Sequence, residues 1–198
     1  CSATCTIEPP APSQLIPATG QTTCWNTAGT VVSCTGTGQD GEFQFGATLA
    51  YVDNGDGTVT DLNTALVWEK LDDNDVGGIH DQDNLYSWDD AFAVKIATLN
   101  SGAGFASHTD WRLPNLSELE SIRNLENDNP AVSEAFHNAC VPGCTAVTCS
   151  CTGGDDHWSS STSAGTPTSA WFVGFDSGAA STSAKTGALR VRAVRGGL

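Results

Sequence analysis

Eight cysteines and not one methionine in 198 residues constrain this chain more than any other feature. In an acidic, lysine-poor sequence, that much sulfur fits an oxidising compartment, where thiols pair and stay paired. The missing Met implies a product trimmed at its start, and the expectation is an exported protein. One domain is the default at this length, and it buries roughly 70% of the surface that the unfolded chain exposes. Disulfides would therefore reinforce a real core rather than replace it. The net charge is −15, from 23 acidic and 8 basic residues. That balance argues against nucleic acid or an anionic membrane as the main partner, because phosphates need Lys and Arg to neutralise them. It is compatible with bound cations. No apolar run approaches the length of about 18 residues that a membrane-spanning helix needs.

Residues 1–22 read as an extended leader rich in Pro and Thr, with the domain over 23–198. Cys1 admits two readings, a lipid-carrying first residue or an ordinary half-cystine beside Cys5, and the even cysteine count favours the second. Cys24 and Cys34 bracket a strand, a turn at Thr27-Ala28-Gly29 and a second strand, which predicts a hairpin closed by a Cys24–Cys34 disulfide. A stronger hairpin follows, where Asn54-Gly55 and Asp56-Gly57 supply the positive backbone angles of tight turns. Ser87 with Asp90, and Asn115 with Glu118, have the spacing of capping boxes. They predict two helices, the first with Trp88, Ala91, Phe92, Lys95, Ile96 and Leu99 on one stripe. Lys95 is the one polar residue in that stripe. A short third helix is expected over 131–136. Further strands are expected at 157–159, 170–175 and 189–195, with the Ser/Thr/Ala/Gly-rich chain from 159 to 189 forming surface loops. Helices placed between antiparallel strands, without βαβ alternation, define an α+β domain.

Six segments, DNGDGTVTDLNTALVW (53–68), GGIHDQDNLYSWDDA (77–91), DWRLPNLSELESI (110–122), HWSSST (157–162), AWFVGF (170–175) and RVRAVRGG (190–197), resemble in order the Lcl C-terminal domain family, named after the tail of a bacterial collagen-like adhesin. The resemblance covers roughly residues 15–198. It implies a C-type-lectin-like fold akin to the formylglycine-generating domain, with an antiparallel sheet and two main helices. It also implies an exported, non-catalytic ligand-binding or adhesive module. For the adhesin branch it implies sulfated glycosaminoglycans, but a charge of −15 suits a polyanion poorly and that ligand is not carried over.

The acidic run 72–84 offers Asp72, Asp73, Asp75, Asp81 and Asp83 as oxygen ligands for Ca²⁺, without EF-hand spacing; the alternative is a solvated loop of turn-forming Asp. Cys140, Cys144, Cys149 and Cys151 lack zinc-site spacing and read as disulfides. Cys149 and Cys151 are too close to pair with each other, so each is expected to reach Cys140, Cys144 or an N-terminal Cys. Ser159–Ser161 beside His157 lie too locally for a catalytic triad, and G-x-S-x-G is missing, so no enzyme is expected. The expected ligand contacts are Asp156, His157, Ser160, Thr162, Trp171, Arg190 and Arg192, presented on the C-terminal loops, with an extracellular glycan or protein as partner. The rival reading is a structural subunit or decoration of an extracellular filament or sheath, self-associating into an oligomer.

Overall fold

Turn chemistry sets the first strands where the sequence predicts them. In the computed structural model, which describes residues 16–74 and 77–197, β1 (Cys24–Trp25) and β2 (Val31–Val32) pair antiparallel. The Asn26 side chain accepts the amides of Ala28 and Thr30. Gly29 turns the chain at φ +75°, and the Cys24–Cys34 disulfide closes the hairpin as expected. The next turn works the same way. Asp53 accepts from the Gly55 amide, and Asp56 accepts from the amide and hydroxyl of Thr58. Those Asp side chains shape the hairpin of β3 (Tyr51–Asp53) and β4 (Thr58–Asp61), onto which β5 (Leu66–Glu69) folds back.

A helical segment runs from Trp88 to Leu99, α-helical at each end and π-helical over Ala91–Ile96. Ser87 caps it by accepting the Asp90 amide. The wide i→i+5 turn brings Ala91, Lys95 and Ile96 to the buried side. The Leu116–Ser121 helix begins with both halves of the predicted capping box, Asn115 and Glu118, and buries Leu119 and then Ile122.

The helix expected over 131–136 does not form. Only Glu134–Phe136 makes a 3₁₀ turn, because Ala131 and Val132 are extended and bonded to other segments. The Ala131 amide donates to the Phe175 carbonyl, and Val132 bridges Arg123.

A second correction concerns the Ser/Thr/Ala/Gly region. It is mostly sheet: β6 (Asp156–Thr162), β7 (Ser169–Gly174) and β8 (Ala179–Ala184) pair antiparallel in that order. Backbone pairing builds β8, whose small side chains carry no apolar alternation.

The last segment is not one strand. Leu189 bridges Tyr86 and Arg190 bridges His157, while β9 (Val194–Gly196) joins β5 in the other sheet, giving the order β3-β4-β5-β9. The chain thus crosses from one sheet to the other between 190 and 194. Arg192, midway, is drawn fully inside.

Two apolar clusters result. Val59, Trp68, Leu119, Ile122, Phe136, Val173 and Phe175 fill one. Ala91, Ile96, Trp111, Leu113, Trp158, Ala170 and Ala193 fill the other. Successive β7 side chains point to opposite faces, so Val173 serves one cluster while Ala170 and Phe172 serve the other. Among the predicted leader residues, Pro17 bridges Ala47, the Leu125 amide donates to the Thr19 carbonyl, and Glu126 accepts the amides of Thr22 and Thr23. That stretch is docked on the domain. No helix among the described residues is long and apolar enough to cross a membrane.

Candidate functional site: an acidic cleft around Arg190

Two gatherings of charged side chains bear on a site, one mostly closed and one open. The closed one centres on Glu69, which is fully buried. Its Oε1 lies 2.5 Å from Lys95 Nζ and 2.7 Å from His80 Nδ1, and its Oε2 accepts from the Ala193 amide at 3.0 Å. Burial opposes the charge, but Lys95 and His80 outweigh it and hold the carboxyl down at about 2. Arg192 spans the same interior. It donates to the carbonyls of Glu69 and Cys151 and to the Thr152 hydroxyl at 2.6–2.7 Å. These groups tie β5, the π-helical turn and the last segment together; Glu69, Lys95 and Arg192 are buried, and His80 is partly exposed at the edge.

The open place is a cleft of about 390 Å³ at one end of the three-stranded sheet. Asp83, Leu85, Gly154, Asp155, Asp156, Asp176 and Leu189 line it around Arg190. Arg190 is held from both sides. Nη1 lies 2.9 Å from Asp83 Oδ1 and Nη2 lies 2.5 Å from Asp155 Oδ2, and Nη1 also meets the Gln82 carbonyl. Asp156 is ionised less readily than an ordinary carboxylate, through burial first and then the charges of Asp176 and Asp155. Glycine shapes the walls. A Cβ at Gly153 would sit 2.9 Å from the guanidinium, and one at Gly174 would sit 2.8 Å from Asp156 and 2.9 Å from Asp176. Four carboxylates face one guanidinium, so the cleft carries a concentrated negative field.

The predicted ligand residues separate into three groups. Asp156 and Arg190 meet in the cleft. Ser160, Thr162 and Trp171 lie towards the far end of the sheet: Ser160 donates its amide to the Pro114 carbonyl, Thr162 accepts from Lys185, and Trp171 pairs with Thr182. His157 and Arg192 are fully buried and offer a ligand nothing. That is a correction to the expected set, caused by β6 turning His157 inward against Phe175 and by the sheet crossover at Arg192. Burial, reinforced by Arg192 and Arg190, pushes His157 down to about 3.

Asp72 and Asp81 are joined by a backbone bridge, but the predicted calcium ligands bring no three carboxylates together among the described residues. Asp83 pairs with Arg190. Asp81 accepts the Asp83 amide, and Asp72 is buried and accepts the Ala146 amide. Asp73 joins the ladder to Cys144 through its backbone, and Asp75 lies outside the described residues. Among the described residues, the one cluster of metal-ligand type is Cys144, Cys149 and Cys151. Those sulfurs are spent in the Cys144–Cys149 and Cys140–Cys151 disulfides, pairings within those the spacing allowed. Cys1 and Cys5 lie outside the described residues. Asp155, Asp176 and Leu85 belong to the cleft without having been predicted there. The one signal in the sequence was the pair Gly153-Gly154 ahead of Asp155-Asp156, which leaves room for a guanidinium.

The domain is thus a disulfide-reinforced α+β unit with an open acidic cleft and a closed ionic core. The chain belongs to the Lcl C-terminal domain family, whose model matches residues 57–195. No curated protein matches it.

Proposed function

We propose that this protein is a non-catalytic recognition module that works outside the cell and binds a neutral or amino-bearing glycan in the cleft around Arg190. Membership of a family named for an adhesin domain, and the three disulfides among the described residues, support a surface role. The observation that carries the ligand class is the convergence of Asp83, Asp155, Asp156 and Asp176 on one guanidinium beside Leu85 and Leu189. Carboxylates accept paired hydroxyl or ammonium donors, and the leucines offer an apolar ridge to a sugar face. The same field disfavours sulfated or carboxylated chains. Asp83 and Asp155 are paired with Arg190, while Asp156 and Asp176 form no ion pair among the described residues and are left to accept a ligand's donors, which supports binding. A glycan array followed by calorimetry tests this. Binding to neutral or amino glycans is expected, with at least a tenfold loss in Asp156→Asn and Asp176→Asn, on the order of 1.4 kcal/mol or more. Retention of sulfated glycans alone, or binding that ignores both variants, would overturn it.

A further inference from the structure

We propose that the four cysteines of the 140–151 loop form one exchange site for small thiols, in which opening either disulfide ends with Cys144 bonded to Cys151 and with Cys140 and Cys149 as thiols. The two crosslinks touch. Cys151 Sγ, bonded to Cys140, lies 3.7 Å from Cys144 Sγ and 3.9 Å from Cys149 Sγ. A thiolate released from one bond therefore already rests against the other. Exchange runs by attack of a thiolate on a disulfide sulfur, and holding the reacting atoms in contact removes much of its entropic cost. Hydrogen bonds frame the sulfurs independently of either crosslink. Asn138 and Ser150 exchange backbone bonds, Cys151 donates its amide to the Leu71 carbonyl, Gly143 donates to the Asp73 carbonyl, and Ala146 donates to the Asp72 carboxylate. The sulfurs thus stay gathered when a bond opens.

Cys149 and Cys151 are buried, whereas Cys140 and Cys144 are partly exposed, which leaves two points of entry. A thiolate that attacks Cys144 forms a mixed disulfide there and breaks the bond to Cys149, which takes up a proton. Cys149 Sγ lies 3.2 Å from the Thr145 carbonyl, an acceptor for the new S–H. A second thiolate attacks the outer sulfur of the mixed disulfide and releases the Cys144 thiolate. Cys144 then attacks Cys151, and the electron pair of the Cys140–Cys151 bond departs on Cys140. The Gln82 Nε2–H group, 3.7 Å from Cys140 Sγ, favours that departing thiolate before it is protonated. Entry at Cys140 reaches the same end. It frees Cys151, which attacks Cys144 and displaces Cys149, and a second thiol then lifts the first from Cys140. By either route two thiols are oxidised to their disulfide, and one protein disulfide is reduced to two thiols. Cys144 and Cys151 are 7 residues apart against 11 for Cys140 and Cys151, so the new loop costs less entropy to close.

Limited reduction of the full chain with dithiothreitol tests the proposal. Free thiols are trapped with N-ethylmaleimide at mildly acid pH, and peptides spanning 138–152 are mapped without further reduction. Chains that have lost one of the two bonds are expected to carry a Cys144–Cys151 crosslink with label on Cys140 and Cys149. Cys140→Ser/Cys149→Ser keeps only Cys144 and Cys151 of the four, and it is expected to close that pair on oxidation and leave no thiol to label in the loop. If that variant does not fold, the map of the unaltered chain decides. A map with either original bond intact and label on both cysteines of the other would overturn the proposal. So would loss of both bonds in one step, or a folded variant whose two thiols stay free.

Discussion

Glu69 is fully buried and accepts three donors, so its charge depends on keeping all of them. Removing one partner of a buried pair leaves the other charge stranded, at a cost of about 3–5 kcal/mol. Glu69→Gln is therefore expected to lower the unfolding free energy read from a denaturant titration by that order, whereas replacing Glu69 and Lys95 together by apolar residues of similar volume should cost much less than the single change. Acid should act in two stages. His157 titrates at about 3 in the fold against 6.5 in a free imidazole. The unfolded chain then takes up a proton that the native state refuses. That contribution is complete above pH 6.5 and is lost as pH falls towards 3. Glu69, at about 2 against 4.5, adds a loss that begins lower, between pH 4.5 and 2. Urea titrations at stepped pH should show His157→Gln flattening the upper stage and leaving the lower one. The sequence singled out Lys95 as a polar residue on an apolar stripe, and the fold explains it. It did not place Arg192 or His157 inside, because one-residue alternation does not say which face of a strand will be covered.

Elements whose signals are local were readable, and those defined by distant partners were not. Asn115 with Glu118 and Ser87 with Asp90 place helix starts because a cap bonds within its own turn. Asn54-Gly55 and Asp56-Gly57 place a hairpin for the same reason. The strand at Ala179–Ala184 was hidden, since its side chains carry no pattern and its pairing is entirely backbone. The helix expected near Ala131 failed because Ala131 and Val132 are held extended by Phe175, far along the chain, and by the bridge to Arg123. The disulfides lend themselves to ranking. Cys140–Cys151 and Cys144–Cys149 are nested, with separations of 11 and 5 residues. Loop-closure entropy gives about 2.8 and about 2 kcal/mol respectively. Replacing the outer pair by serines is expected to lower thermal stability more than replacing the inner pair, and calorimetry of the two double variants would show the order.

At the scale of the molecule, the parts of the candidate site come from four separated stretches: Asp83 and Leu85, Asp155 and Asp156, Asp176, and Leu189 and Arg190. Asp156 and Arg190 could be selected from the sequence as polar residues near strand ends. Nothing local announces that Asp83 would leave the acidic run to pair with Arg190, since that contact exists only once Leu189 has bridged Tyr86. The N-terminal docking is another long-range feature. Glu126 anchors Thr22 and Thr23 through their amides, and these bonds hold its carboxyl below the ordinary range. Glu126→Ala is expected to speed hydrogen exchange at Thr22 and Thr23 by about five- to thirtyfold, corresponding to ~1–2 kcal/mol of lost local protection, while leaving the β4–β5 amides unchanged. The crossover between Arg190 and Val194 also has a temporal meaning. The four-stranded sheet and the ionic core both take partners from residues 190–196, so neither can close before that stretch is in place.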